Sequence, residues 1–315
     1  REAYLNLSWK RQEATPLVNT DCEVAYDQFV LPVSKNARGY RPDKVGNTTF
    51  TVDKATGALN SLCLDGEELL GSPMTLSLFR PATDNDNRDQ MGAKLWRAAG
   101  LDALTQKVVS LKESKTSTTA QVDILNAKGE KVGDATFAYT LNRDGSVKVR
   151  TTFQPDTTLV KSMARLGLTF EVEDAYDHIT YLGRGEHETY IDRNQSGKIG
   201  IYETTPERMF HYYVVPQSTG NRTDVRWMKL TDDAGKGCWV EADSPFQFST
   251  IAFPDVMVEK ARHINELERN GKITVHLDAK QAGVGTATCG PGVQSQYLVP
   301  LTKQTFDFII YPVKN

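Results

Sequence analysis

The sequence has 315 residues, 39% hydrophobic and 24% charged, an ordinary globular composition in a chain long enough to bury a substantial core. A formal net charge of −3 and a pI near 6.0 give no electrostatic reason to expect nucleic acid or an anionic membrane as partner. No apolar run approaches the roughly 20 residues a membrane-spanning helix needs.

The chain opens on Arg1 rather than Met and shows no signal-peptide pattern, so it is expected to begin part-way through something larger. Residues 3–9 and 25–31 alternate apolar and polar side chains, the period of a β-strand. Two strands cannot bury a face by themselves, so residues 1–33 read as the edge of a preceding sandwich domain. Residues 34–45, polar and containing Asn36, Gly39 and Pro42, read as a linker. From Thr48 hairpins begin: residues 49–52 and 58–62 flank Gly57, and Asp65-Gly66 marks the next turn. Further strands are expected at 107–111, 118–124, 135–141, 146–153, 164–171, 237–242, 246–251, 273–277, 296–299 and 305–312. So many short strands without alternating helices predict an all-β fold, a large antiparallel sandwich over residues 46–315. Helical signals are confined to residues 94–99, stopped at Gly100, and to the partly amphipathic stretch 257–267.

The four cysteines, Cys22, Cys63, Cys238 and Cys289, lack CxxC spacing, which excludes a zinc site of paired ligands and favours buried free thiols. Asn6, Asn47, Asn194 and Asn221 begin N-x-Ser/Thr sequons, which matter only in a glycosylating host.

Four segments hold the residue types that do chemistry. Arg80-Pro81-Ala82-Thr83-Asp84-Asn85-Asp86-Asn87-Arg88-Asp89 fits a structural turn, the rim of a pocket, or a cation loop, although the glycine and closing Glu of a calcium loop are missing. Tyr181–Arg193 combines Gly183 and Gly185 with Glu186, His187 and Glu188. Carboxylates two apart share a face of a strand, and glycoside hydrolysis uses two of them; neighbouring carboxylates on a surface loop are the plainer alternative. The GxG lacks the third glycine of a nucleotide loop. Tyr213–Trp227 holds Arg222, Asp224 and Trp227, which suit either gripping sugar hydroxyls or closing a salt-bridged turn. Residues 277–292 are dense in glycine, as in a loop that lets a ligand approach closely; Cys289 as a nucleophile would need an activating neighbour that the sequence does not reveal.

Taken in order, the blocks Arg80-Pro81-Ala82-Thr83-Asp84-Asn85-Asp86, Leu95-Trp96-Arg97-Ala98-Ala99-Gly100, Tyr181-Leu182-Gly183-Arg184-Gly185-Glu186, Glu188-Thr189-Tyr190-Ile191-Asp192-Arg193, Asn221-Arg222-Thr223-Asp224-Val225-Arg226-Trp227 and Gly283-Val284-Gly285-Thr286-Ala287-Thr288-Cys289-Gly290-Pro291 resemble the C-terminal part of family-2 β-galactosidases. That resemblance implies a supersandwich similar to galactose mutarotase, preceded by the last strands of an immunoglobulin-like domain. It places the catalytic glutamates and the magnesium site in an upstream TIM barrel, so no catalytic residue and no cofactor are expected in this chain. The rest of the enzyme and a galactoside are the implied partners, with homo-oligomerisation possible and the compartment open between bacterial cytoplasm and periplasm.

The family's glycine-rich loop reaches the mouth of the active site, in some members with a tryptophan against the sugar. The matching positions here are Thr288, Cys289 and Gly290, and none is tryptophan. Asp84, Asn85, Asp86, Arg222, Asp224 and Trp227 are expected at a pocket rim or in structural roles. The alternatives are a free-standing aldose-1-epimerase-like enzyme, for which His178, His187 and His211 are available, and a purely structural assembly module.

Overall fold

The computed structural model describes residues 2–32, 42–43 and 46–314, in two compact units, residues 1–43 and 44–315. Most of the expected 34–45 linker lies outside the described residues.

The first unit is a hairpin of β1 (Ala3–Lys10) and β2 (Glu23–Leu31), antiparallel with Leu5 opposite Phe29 and Trp9 opposite Ala25. Leu5, Trp9, Phe29 and Val30 are exposed, so the alternation read from the sequence forms strands without burying a face of them.

The second unit starts with a small antiparallel sheet of β3 (Thr48–Val52), β4 (Leu59–Leu64) and β5 (Glu67–Glu68). All other strands join one antiparallel sheet of twelve: β6 (Thr75–Ser77), β7 (Thr105–Glu113), β8 (Ser117–Leu125), β9 (Lys131–Leu141), β10 (Val147–Pro155), β11 (Arg165–Glu173), β12 (His178–Gly185), β13 (Lys198–Thr204), β14 (Arg222–Thr231), β15 (Gly237–Ile251), β16 (Lys272–Gln281) and β17 (Gln304–Val313). The neighbours run β13-β12-β14-β15-β17-β10-β9-β8-β7, with β16 also on β15 and β11 between β16 and β6. The period-2 signal is plain in β10, where Val147, Val149, Thr151 and Phe153 are buried while Arg150 and Gln154 face water. Inward-facing residues such as Leu59, Phe137, Phe153, Val225, Phe248 and Leu277 pack into one continuous core. The expected all-β antiparallel architecture is present.

Several local expectations are corrected. Residues 237–242 and 246–251 are one strand, β15, whose first half pairs with β17 and whose second half pairs with β16. Pro245 and the exposed Asp243 and Ser244 mark where it changes partners, and Pro is tolerated at such a place because no ladder N–H is needed there. The strand expected at 296–299 is a 3₁₀ turn, Ser295–Tyr297. The long helix expected at 257–267 is α4 (Asp255–Lys260), then a 3₁₀ turn at Ile264–Glu266, because Ala261 is already extended. The helix at 94–99 is α2 (Ala93–Ala98), and Gly100 follows it with φ +69°. Of the four thiols, all free, only Cys238 is buried; Cys22 and Cys289 are exposed.

Candidate functional site

Arg80–Asp89, whose composition fits a turn, a pocket rim or a cation loop, forms a short helix, α1 (Asp84–Arg88). Thr83 caps it: its hydroxyl accepts from the Asp86 N–H at 3.1 Å, and the Asp86 carboxylate accepts from the Thr83 N–H at 2.9 Å. That reciprocal pair is a capping box, with Asp where Glu or Gln is usual.

Asp86 also receives Arg80. The guanidinium donates from Nε and Nη2 to the two carboxylate oxygens at 3.0 and 2.7 Å, and both side chains are buried. Its other donors reach the carbonyls of Ala282 at 2.7 Å and Gly283 at 2.8 Å, and Gln281 Oε1 at 3.2 Å. The rings of Trp96 and Tyr190 lie 5.6 and 5.7 Å from its central carbon, a cation–π position. Arg80 thus joins α1, α2 and the end of β16, where the glycine-rich loop begins.

Three further side chains hold that loop. Asn85 donates to the Gly285 carbonyl at 2.9 Å and accepts from the Thr288 N–H and hydroxyl at 3.0 and 2.6 Å. Asp192 accepts the N–H groups of Val284 and Gly285 at 3.0 and 2.8 Å. Asp89 accepts the Val293 N–H at 2.6 Å. The glycines permit this approach: a Cβ on Gly283 would stand 2.3 Å from the Asp192 carboxylate, and one on Gly292 2.6 Å from that of Asp89.

The loop, α1 and the segment 188–218 enclose a polar cleft of ≈ 250 Å³, lined among others by Asp84, Asn85, Glu188, Arg193, Tyr213 and Thr288. A second cleft of ≈ 520 Å³ shares the wall of Glu188, Arg193 and Tyr213 and adds Glu186, His187, Arg208, His211 and Arg222. Gln217 ties the floor to α1 by accepting the Asp84 N–H at 3.1 Å.

Glu188 is the anchor of the shared wall. It accepts from the Tyr213 hydroxyl at 2.5 Å, Arg193 at 2.6 Å, the Thr219 hydroxyl at 2.8 Å and the Gly220 N–H at 2.9 Å. Burial alone would raise its pKa, but these donors outweigh burial and hold it below the ordinary carboxylate range. Glu186 stays exposed, because β12 ends at Gly185. The strand geometry that would pair the two carboxylates on one face is therefore absent.

Of the other residues singled out by sequence, Asp84, Asn85 and Thr288 meet at the first cleft. Asp86 lies buried behind it. Arg222 opens β14, a strand that the alternation in the sequence does not predict, and lines the second cleft. Asp224 pairs with Arg184 on β12. Trp227 stacks on Trp239, ring centroids 4.1 Å apart, and lines neither cleft. Cys289 and Gly290 are exposed in the loop and also line neither. Tyr190, Arg193, Tyr213, Gln217 and Asp192, which the sequence did not single out individually, gain their places from contacts over tens of residues. Among the described residues no group of three or more His, Cys, Asp or Glu is placed to hold a metal ion.

The fold and the cleft define an all-β region whose distant loops are drawn to one polar site. The family model "Beta galactosidase small chain" matches residues 44–310, and the chain belongs to that family. It is 30% identical over 306 residues to a β-galactosidase of Priestia megaterium, covering 90% of this chain and 29% of that protein. With a β-galactosidase of Kluyveromyces lactis it shares 29% identity over 273 residues, 82% of this chain and 26% of the relative. The chain thus spans less than a third of these relatives' length. Among solved structures, a GalM/aldose epimerase homologue from C. elegans matches with TM-score 0.46 and 12% identity, over 85% of this chain and 96% of that one.

Proposed function

We propose that this chain is the C-terminal carbohydrate-handling region of a family-2 β-galactosidase, which hydrolyses terminal β-D-galactosides such as lactose. The observation that carries this is the glycine-rich loop, held by Arg80, Asn85, Asp89 and Asp192 against a polar cleft, in a chain of the small-chain family. Residues 1–33 are the last strands of an immunoglobulin-like domain in this proposal, and residues 46–315 the supersandwich.

The role is to complete the rim of the active site. Thr288, fixed by Asn85, would present the loop, with Cys289 and Gly290 at its exposed turn as small, polar contacts where a stacking ring is absent. The chemistry itself needs a carboxylic acid and a second carboxylate across the glycosidic bond. Glu188 suits neither task, since four donors already occupy it and its pKa is lowered, whereas a general acid needs a raised one. The family resemblance puts the catalytic pair and the magnesium in the barrel of the parent enzyme, and in this proposal the chain alone is inactive.

The test is to assay the chain on a nitrophenyl β-galactoside, alone and mixed with the N-terminal remainder of its parent. Silence alone and hydrolysis on mixing support the proposal; hydrolysis by the chain alone sinks it. Catalysed mutarotation of galactose would instead favour an epimerase.

A further inference from the structure

Three arginines are buried in this molecule, Arg80, Arg165 and Arg222, and their charges are met differently; Arg165 lies 3.8 Å from the buried Asp278 carboxylate. Arg80, wholly buried, has a bidentate carboxylate partner in Asp86. Arg222, 2% exposed, has none. Its Nε donates to the Tyr181 hydroxyl at 2.9 Å, and its Nη1 to the carbonyls of Gly220 and Asn221 at 3.0 and 3.3 Å. These acceptors are neutral. Nη2 makes no hydrogen bond among the described residues, and Arg222 lines the second cleft.

A buried cation without a counter-charge is costly, and among the described residues no carboxylate pairs with Arg222. Glu188 is committed to its four donors. Glu186 lines the same ≈ 520 Å³ cleft but is exposed. On the cleft's other walls stand Arg208, itself exposed and without an ion-pair partner among the described residues, and His187 and His211. His211 packs edge-on to Tyr213 with centroids 4.3 Å apart, so an aromatic surface adjoins the cationic groups.

We propose that this second cleft binds the oxyanion of an acidic sugar, a carboxylate or a sulfate ester, with Arg222 and Arg208 donating to the anion and the His211–Tyr213 rings beside the sugar ring. The anion follows from Arg222. Its sugar carrier rests on the galactosidase assignment, since the two clefts share one wall and a saccharide can extend from one to the other.

The experiment is calorimetric titration of the 315-residue chain with galacturonate, galactose 6-sulfate, galactose and inorganic sulfate. One charge-assisted contact is enough for the two acidic sugars to bind at least about tenfold more tightly than galactose. Added salt should weaken them, and Arg222→Gln should abolish the preference. Arg208→Gln, at an exposed position that leaves the core untouched, should reduce it in a protein of unchanged melting temperature. Three results overturn the proposal: galactose bound as tightly as the acidic sugars, inorganic sulfate bound as tightly as galactose 6-sulfate, or both variants binding as the parent does. Absence of any binding does so too. Because the readout is binding by this chain alone, it stands apart from the hydrolysis test of the assembled enzyme.

Discussion

Arg80 and Glu188 illustrate how single side chains decide this site. Each collects donors or acceptors from segments far apart in sequence, and each is held by charge-assisted bonds. Removing one member of a buried pair strands the other charge, which typically costs about 3–5 kcal/mol. Asp86→Asn should therefore lower stability by that order in urea unfolding, since Arg80 and Asp86 are almost fully buried; a loss below about 1 kcal/mol would contradict the pairing. Glu188→Gln tests the shared wall through pH. The folded pKa of Glu188 is depressed, so its stabilisation is fully present above the unfolded value of about 4.3 and is lost as pH falls through the folded pKa. The stability gap between parent and Glu188→Gln should be widest near neutrality and close on acidification. A gap constant from pH 7 to pH 3 would show that the carboxylate charge is not what holds the wall.

At the scale of elements, α1 is too short to persist on its own, and its capping box and tertiary contacts must define it. Thr83→Ala removes the acceptor for the Asp86 N–H and should cost about 1 kcal/mol. The same change loosens the helix that carries Asn85, so the backbone amide of Thr288, which donates to Asn85, should exchange with solvent faster, while those of β10 stay protected. Unchanged exchange at the loop would separate it from α1. A second strut backs this helix: α4 supplies Glu259, which accepts from Arg97 of α2 at 2.9 Å and from the Ala82 N–H at 2.8 Å. β15 is one strand that serves two neighbours, changing partners around Pro245.

For the whole molecule, the antiparallel sheet buries the core, and the loops carry the polar groups of the candidate site. In the proposed parent β-galactosidase, excising residues 286–290 should leave the melting temperature nearly unchanged, because the loop contributes little to the core, and should raise KM. Unchanged kinetics would remove the loop from the active site.

Period-2 burial is a local property, so β1, β2, β8, β9, β10 and β17 stand within a few residues of the limits their alternation predicts. The sequence by itself also exposed the six ordered blocks that resemble the galactosidase family, and the glycine-rich loop as a place of close approach. Where local signals conflicted, the sequence was insufficient. β12 and β14 were obscured by glycines and arginines whose reasons are tertiary, such as Gly183, where a Cβ would meet Val225 at 2.9 Å. The cleft could not be read either, because Arg80 meets Gly283 across 203 positions and Asn85 meets Thr288 across the same span. Only folding decides which distant polar groups satisfy one another. The same balance left Glu188 fully engaged and Arg222 without a counter-charge.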